Sequence, residues 1–328
     1  MLVKAFITSI VLSLCSVPAV AQQAKPAMTI AWAEGPTADA DGNVYFSDVR
    51  SNRIMKMTPD GALSTFRYPA NNPNGMVIDA QNRLVICESG DPTASLPPRI
   101  TRTDLASGRS DVLIDSFEGA RIKAPNDITY DSQGRLYFTS DERPFFLAAF
   151  PPDGLPGIPK QEVSTVGVYR IDTDGKVARI LQSPEIRRPN GIMISPDDTT
   201  LYLIENDIGE GGLRALLAFD LSADGMPGNK RELRNFSPGR SGDGLAVDTA
   251  GNIYVAAGLN ATRGTKETLD TKAGIHVLSP KGDPLKFIPI PEDTVSNLTF
   301  AGKDRKTVYV TAGKTLFTFQ NDIPGLPR

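Results

Sequence analysis

Histidine and cysteine are almost absent: the chain of 328 residues has one of the former and two of the latter. That scarcity excludes a zinc centre built on their nitrogen and sulfur ligands, and it excludes a disulfide framework. Net charge is nearly absent as well, with 35 basic residues against 38 acidic for a formal −3. Such a balance argues against a nucleic-acid partner or a polybasic membrane surface. Long apolar runs are missing too. The stretch Ala5 to Leu14 is too short to span a bilayer and nothing comparable follows it, so no membrane anchor is expected, and no protein partner is inferred. What is plentiful is punctuation. The 29 glycines and 26 prolines signal many turns and few long helices, while 40 % hydrophobic residues suffice to fill a core.

The first 21 residues read as a cleavable export signal. Lys4 supplies the positive start, Ala5 to Leu14 the apolar stretch, and Ala19-Val20-Ala21 the small-residue cleavage site before Gln22. The expectation is a leader over 1–21 and one domain over 22–328, located in the periplasm or secreted. Leu14 is bulkier than the residue that precedes a lipidated cysteine, so Cys15 is not read as an anchor. Cys87 then remains, at a strand end, as a small buried hydrophobe.

Six segments of the chain share one pattern, a polar residue followed by a short apolar stretch, a turn and a β-rich run. They open at Glu34, Asn74, Asn126, Asn190, Asp243 and Asn297, at spacings of 40, 52, 64, 53 and 54 residues. Each segment also contains a second pair of alternating runs about Asp-Gly, Ser-Gly or Lys-Gly, the chemistry of a tight turn. Repeats of this length without a helical period specify an all-β fold, a six-bladed β-propeller with four antiparallel strands per blade. The strand near Met28 to Trp32 is expected to complete the last blade and close the ring. Counting reversals puts the six polar residues at one mouth of the central channel. The long connections between second and third strands, about Asp141 to Val166, Asn206 to Leu213 and Ala257 to Ala273, fall on that same face, and the opposite face carries short turns.

The mouth thus gathers two carboxylates and four amides. Like charges confined together call for a positive charge between them, and a divalent cation supplies it. Ligands that are all oxygen suit a hard ion such as calcium, or magnesium or manganese. The same residues have a structural use as caps for strand ends, but capping needs no acid at two separate blades. Asp39, Asp41 and Asp48 resemble a calcium-binding loop only superficially, since equivalent turns recur in the other repeats. His276 lies in an outer-strand pattern, so the chemistry runs without histidine.

Ala33-Glu34-Gly35-Pro36, the run Phe46 to Met57, Ala124-Pro125-Asn126-Asp127, Pro189-Asn190-Gly191 and Gly242-Asp243-Gly244 occur in order at blade spacing. On these motifs the chain resembles the SMP-30/gluconolactonase/luciferin-regenerating-enzyme-like family, in its bacterial gluconolactonase branch, from about Trp32 to Gln320. The resemblance implies a propeller that opens a small-molecule sugar lactone. It implies one divalent cation on Glu34, Asn126, Asn190 and Asp243, calcium first, with magnesium, manganese or zinc as alternatives. It also implies Asp243 as the catalytic base, and Asn126 and Asn190 at the substrate. Glu142 joins these as a substrate contact, and Glu88, Asp141, Glu142 and Glu205 are further acids near the mouth, alternatives to Asp243 as base that otherwise read as ordinary solvated loop charges. Three positions depart from the family pattern: Ala124, Glu88-Ser89-Gly90 and Thr37, all around the pocket. Two other readings stay open, a phosphotriesterase or aryl esterase on the same metal, and a non-catalytic ligand-binding propeller. The Pro-rich stretch from Pro144 to Pro159 is expected to form a lid.

Overall fold

The computed structural model describes residues 25–91, 94–141, 165–209 and 211–326. The expected leader over 1–21, Glu142 and the expected lid from Pro144 to Pro159 lie outside the described residues. Six four-stranded antiparallel sheets stand in a ring. Their innermost strands are Ala33–Ala38, Pro73–Ile78, Ala124–Tyr130, Pro189–Ile194, Gly242–Val247 and Val295–Ala301, and each packs against the next, the sixth against the first. These define blades one to six. Val49–Ser51 make a 3-10 turn after the second strand of blade one. Closure follows expectation: Lys25–Thr29 is the outermost strand of blade six, antiparallel to Thr315–Gln320.

The core consists of six apolar layers, one between each pair of neighbouring blades. Side-chain alternation explains this. In blade one, Tyr45 faces Met76, Leu84 and Ile86 of blade two, while Val44 and Phe46 on either side of it face Ala301 and Leu316 of blade six. An inner blade strand is therefore covered on both faces and reads as a continuous apolar run. Cys87 is fully buried in the layer between blades two and three, as its sequence context suggested.

An aspartate ends four of the six inner strands and is consumed by its own hairpin. Asp131 accepts the backbone N–H of Gln133 and Arg135, the Arg135 guanidinium and the Tyr137 hydroxyl. Asp39 serves Asn43 and Tyr45 in the same way. The loop around Asp39 to Asp48 is thus a hairpin and no calcium loop, since Asp48 also spends its oxygens on Trp32 and Arg53. The far face carries more than short turns. Residues 321–326 fold across it, Gly325 donating to Arg305 O at 2.9 Å and Arg305 to Leu326 O at 3.0 Å.

Candidate active site

Each inner strand slips register by one residue at its mouth end, at the motif itself. Such bulges re-aim side chains, and here they set two stacked layers. The upper layer contains Glu34, Asn74, Asn126, Asn190 and Asp243, and in blade six Ser296. The expected sixth member, Asn297, sits one position deeper. Blade six shifts between Val295 and Asn297, which puts Ser296 level with the other five. Ser296 is buried, bonded to Ala33 O at 2.9 Å and to Thr311.

The lower layer explains the recurring glycine. A Cβ on Gly191 would lie 2.4 Å from Asp243 O, and one on Gly244 would lie 2.1 Å from the Asn297 side chain. With glycine at four of these six positions, the other two residues can reach across the channel. Asp127 of blade three and Asn297 of blade six, opposite one another, hydrogen-bond there. Asp127 also accepts the N–H of Ile128 at 3.0 Å and of Ile192 at 3.3 Å, while Asn297 caps Leu298 N at 2.8 Å. This pair floors the mouth. Beneath it a cavity of about 80 Å³ runs toward Arg305 and Leu326.

In the upper layer Asn190 Nδ2 donates to Asp243 Oδ1 at 2.7 Å. The other oxygen of Asp243 receives the Arg240 guanidinium, which also donates to Val295 O at 2.9 Å. Burial raises the pKa of Asp243. It raises that of Glu34 further, with the negative charge of Asp243 as the next cause and Arg240 opposing both. Asp127 is pushed up to about 7, mainly by burial. The indole of Trp32, the chain's one tryptophan, hydrogen-bonds Glu34. The structure thus brings Asn190 and Asp243 into contact, with Glu34 in electrostatic reach. Asn126 and Asn74 stand on the same ring, their amides making no hydrogen bond among the described residues.

The other acids divide. Glu88 is fully buried and engaged by Arg67, by Arg99 at 2.7 Å, by Asn71 at 2.9 Å and by Thr101 at 2.6 Å. Glu205 accepts two backbone N–H groups, of Arg187 at 2.9 Å and Arg188 at 2.5 Å. Neither carboxylate is a solvated loop charge, and both hold connectors in place. Asp141 pairs with Arg188 at 3.3 Å. His276, in the third strand of blade five, donates from Nε2 to Lys272 O at 2.9 Å.

Among the described residues no three acidic, histidine or cysteine side chains gather as a ready ligand cluster. A cation here would draw on amides as well. The donor set fits one: a buried and a half-buried carboxylate that destabilise each other's charge, uncommitted amides beside them, and oxygen throughout. Sequence reasoning missed Arg240 and Asp127. Asp127 stood in plain view inside the Asn126 motif. Arg240 follows from the strand count, because four strands bring the chain back to the mouth, so connectors between blades lie there too.

A six-bladed propeller with an acid-bearing mouth defines the class of molecule. The family profile described as SMP-30/Gluconolactonase/LRE-like region matches residues 32–314, and the chain belongs to that family. It is 28 % identical over 311 residues to a gluconolactonase of Zymomonas mobilis, covering 87 % of this chain and 77 % of that one. It is 24 % identical over 274 residues to a 6-deoxy-6-sulfogluconolactonase of Pseudomonas putida, covering 83 % and 79 %. A solved gluconolactonase from Xanthomonas campestris aligns with a TM-score of 0.72 at 29 % identity, covering 90 % of this chain and 87 % of that one.

Proposed function

We propose that this protein is a lactone hydrolase that opens a sugar lactone, acting in the periplasm or outside the cell after loss of residues 1–21. The lactonase relatives support the reaction class. The observation that carries the site is the pair of carboxylates, Glu34 buried and Asp243 half-buried, facing one mouth from blades one and five.

Glu34, Asn126, Asn190 and Asp243 would hold a divalent cation, calcium being the ion that an all-oxygen set suits. When bound, that ion supplies a Lewis acid for the developing oxyanion. The remaining work belongs to the chain. Hydrolysis adds hydroxyl to the acyl carbon and a proton to the ring oxygen that leaves. Asp243 is the group assigned to accept the proton of the attacking water. Burial makes its carboxylate a stronger base than an exposed aspartate, and Asn190 and Arg240 fix its plane. The Asn190 carbonyl and the Asn126 amide are left to bond substrate hydroxyls. The Asp127–Asn297 floor stops the lactone from sinking into the channel.

The test is a panel of aldonolactones with purified protein. Chelator should abolish ring opening, and Asp243→Asn should lower kcat by about 10²–10⁴-fold. Full rate in both arms would remove the proposal.

A further inference from the structure

Two carboxylates in one mouth, Glu34 buried and Asp243 half-buried, need a positive charge, and the chain has placed one beside them. The Arg240 side chain is 2 % exposed. Its guanidinium bridges Asp243 of blade five and Val295 O of blade six, so it is fixed across the seam between them. Its Nε atom, also buried, has no partner among the described residues. Its charge acts on Glu34 as well as on Asp243. Arg263, in the long loop between Ala257 and Gly274, acts on Asp243 from further out and is itself committed to Glu267 at 2.9 Å.

We infer that Arg240 is a resident counter-cation of the mouth, which steadies Glu34 and Asp243 in the metal-free protein and weakens the binding of a divalent cation to them. This rests on the ligand set proposed above. Two opposing effects have to be weighed. Removing the guanidinium frees one oxygen of Asp243 to turn away, which disfavours binding. It also removes a full positive charge from the neighbourhood of a doubly charged ion in a buried site. The second effect is larger, because charge repulsion at this range in a poorly screened site exceeds one charge-assisted hydrogen bond. Asn190 continues to hold the other oxygen.

The experiment compares chelator-stripped wild type with Arg240→Gln, titrated with calcium chloride by calorimetry and followed in parallel by Trp32 fluorescence. The variant should bind calcium about tenfold more tightly or better. Its metal-free melting temperature should fall, and its rise on adding calcium should exceed that of wild type. Binding by the variant where wild type shows none is the same result in extreme form. Equal or weaker binding overturns the inference, as does an absence of binding in both. Should Arg240→Gln not fold, Arg240→Lys reads the same sign: its shorter stem draws the charge back and should tighten calcium about threefold, and unchanged or weaker binding there is equally fatal. Lactone opening is assayed separately, so an inactive wild type strikes the proposed reaction and leaves the calcium comparison legible.

Discussion

With a single histidine in the chain, one titration can be followed without overlap. His276 sits in the strand Gly274–Leu278, its ring 4.9 Å from that of Phe287 and 6.1 Å from that of Phe236, with Nε2 2.9 Å from Lys272 O. Burial disfavours the imidazolium and lowers its pKa from 6.5. The sign for stability follows. Below pH 6.5 the unfolded chain takes up a proton that the folded chain resists, so this residue costs stability as the pH falls through 6.5 toward the folded value. The expected outcome is an imidazole proton resonance with its midpoint below 6.5, and a shallower acid-side loss of melting temperature in His276→Gln. A midpoint at or above 6.5 would show that the ring is not desolvated. The placement was legible beforehand, because Gly274-Ile275-His276-Val277-Leu278 alternates as a strand two positions out from the channel. For Arg240 the strand count gives the face but not the contact, because its partners Asp243 and Val295 belong to two blades and no local pattern marks such a pairing.

Among the elements, the inner strands carry the site, and their glycines set how closely they approach. Gly191 has no positive φ to explain it, so proximity is the reason for it: its missing Cβ leaves room for Asp243 O and the Gly244 Cα. Gly191→Ala should therefore cost about 1–3 kcal/mol through overpacking, and should shift Asp243. Gly228→Ala is the control, since nothing lies within 4 Å of its Cβ position. Equal melting temperatures for the two variants would refute the packing argument. The blades themselves were readable from the repeat, hairpins included, because each hairpin aspartate and its turn form a local unit. Register was less readable. Five inner strands open on a residue followed by glycine or aspartate, whereas blade six opens on Ser296, and matching its asparagine to the others put Asn297 one layer too high. A bulge inserts a residue without leaving a sign in the amino-acid pattern. The acids Glu88 and Glu205 were misjudged for a related reason: both sit at strand ends that look exposed in sequence, yet the connectors between blades fold over them.

For the molecule as a whole, the ring is closed by contacts between its two ends. Thr29 and Thr315 bring their hydroxyls within 3.3 Å of one another, Ala33 N donates to Gly313 O at 2.8 Å, and the Ser296 hydroxyl donates to Ala33 O. Blade six stands between blades one and five, which carry Glu34 and Asp243, so the spacing of the two carboxylates depends on this closure. Lys25–Thr29 supplies the last strand, and cleavage after Ala21 would leave it intact by a few residues. If residues 1–21 are removed as proposed, sequencing of the mature protein should begin at Gln22, and a variant starting at Ile30 should expose Thr315–Gln320 as a bare sheet edge. That variant should melt lower, tend to associate, and lose calcium affinity more than a change at an outer strand of blade two would cause. If it bound calcium and melted like the protein starting at Gln22, the geometry of the mouth would owe nothing to the closing strand. The seam between first and last blades would then be held by the hydrogen bonds of Ser296, Ala33 and Gly313 and by the apolar layer of Val44, Phe46, Ala301 and Leu316.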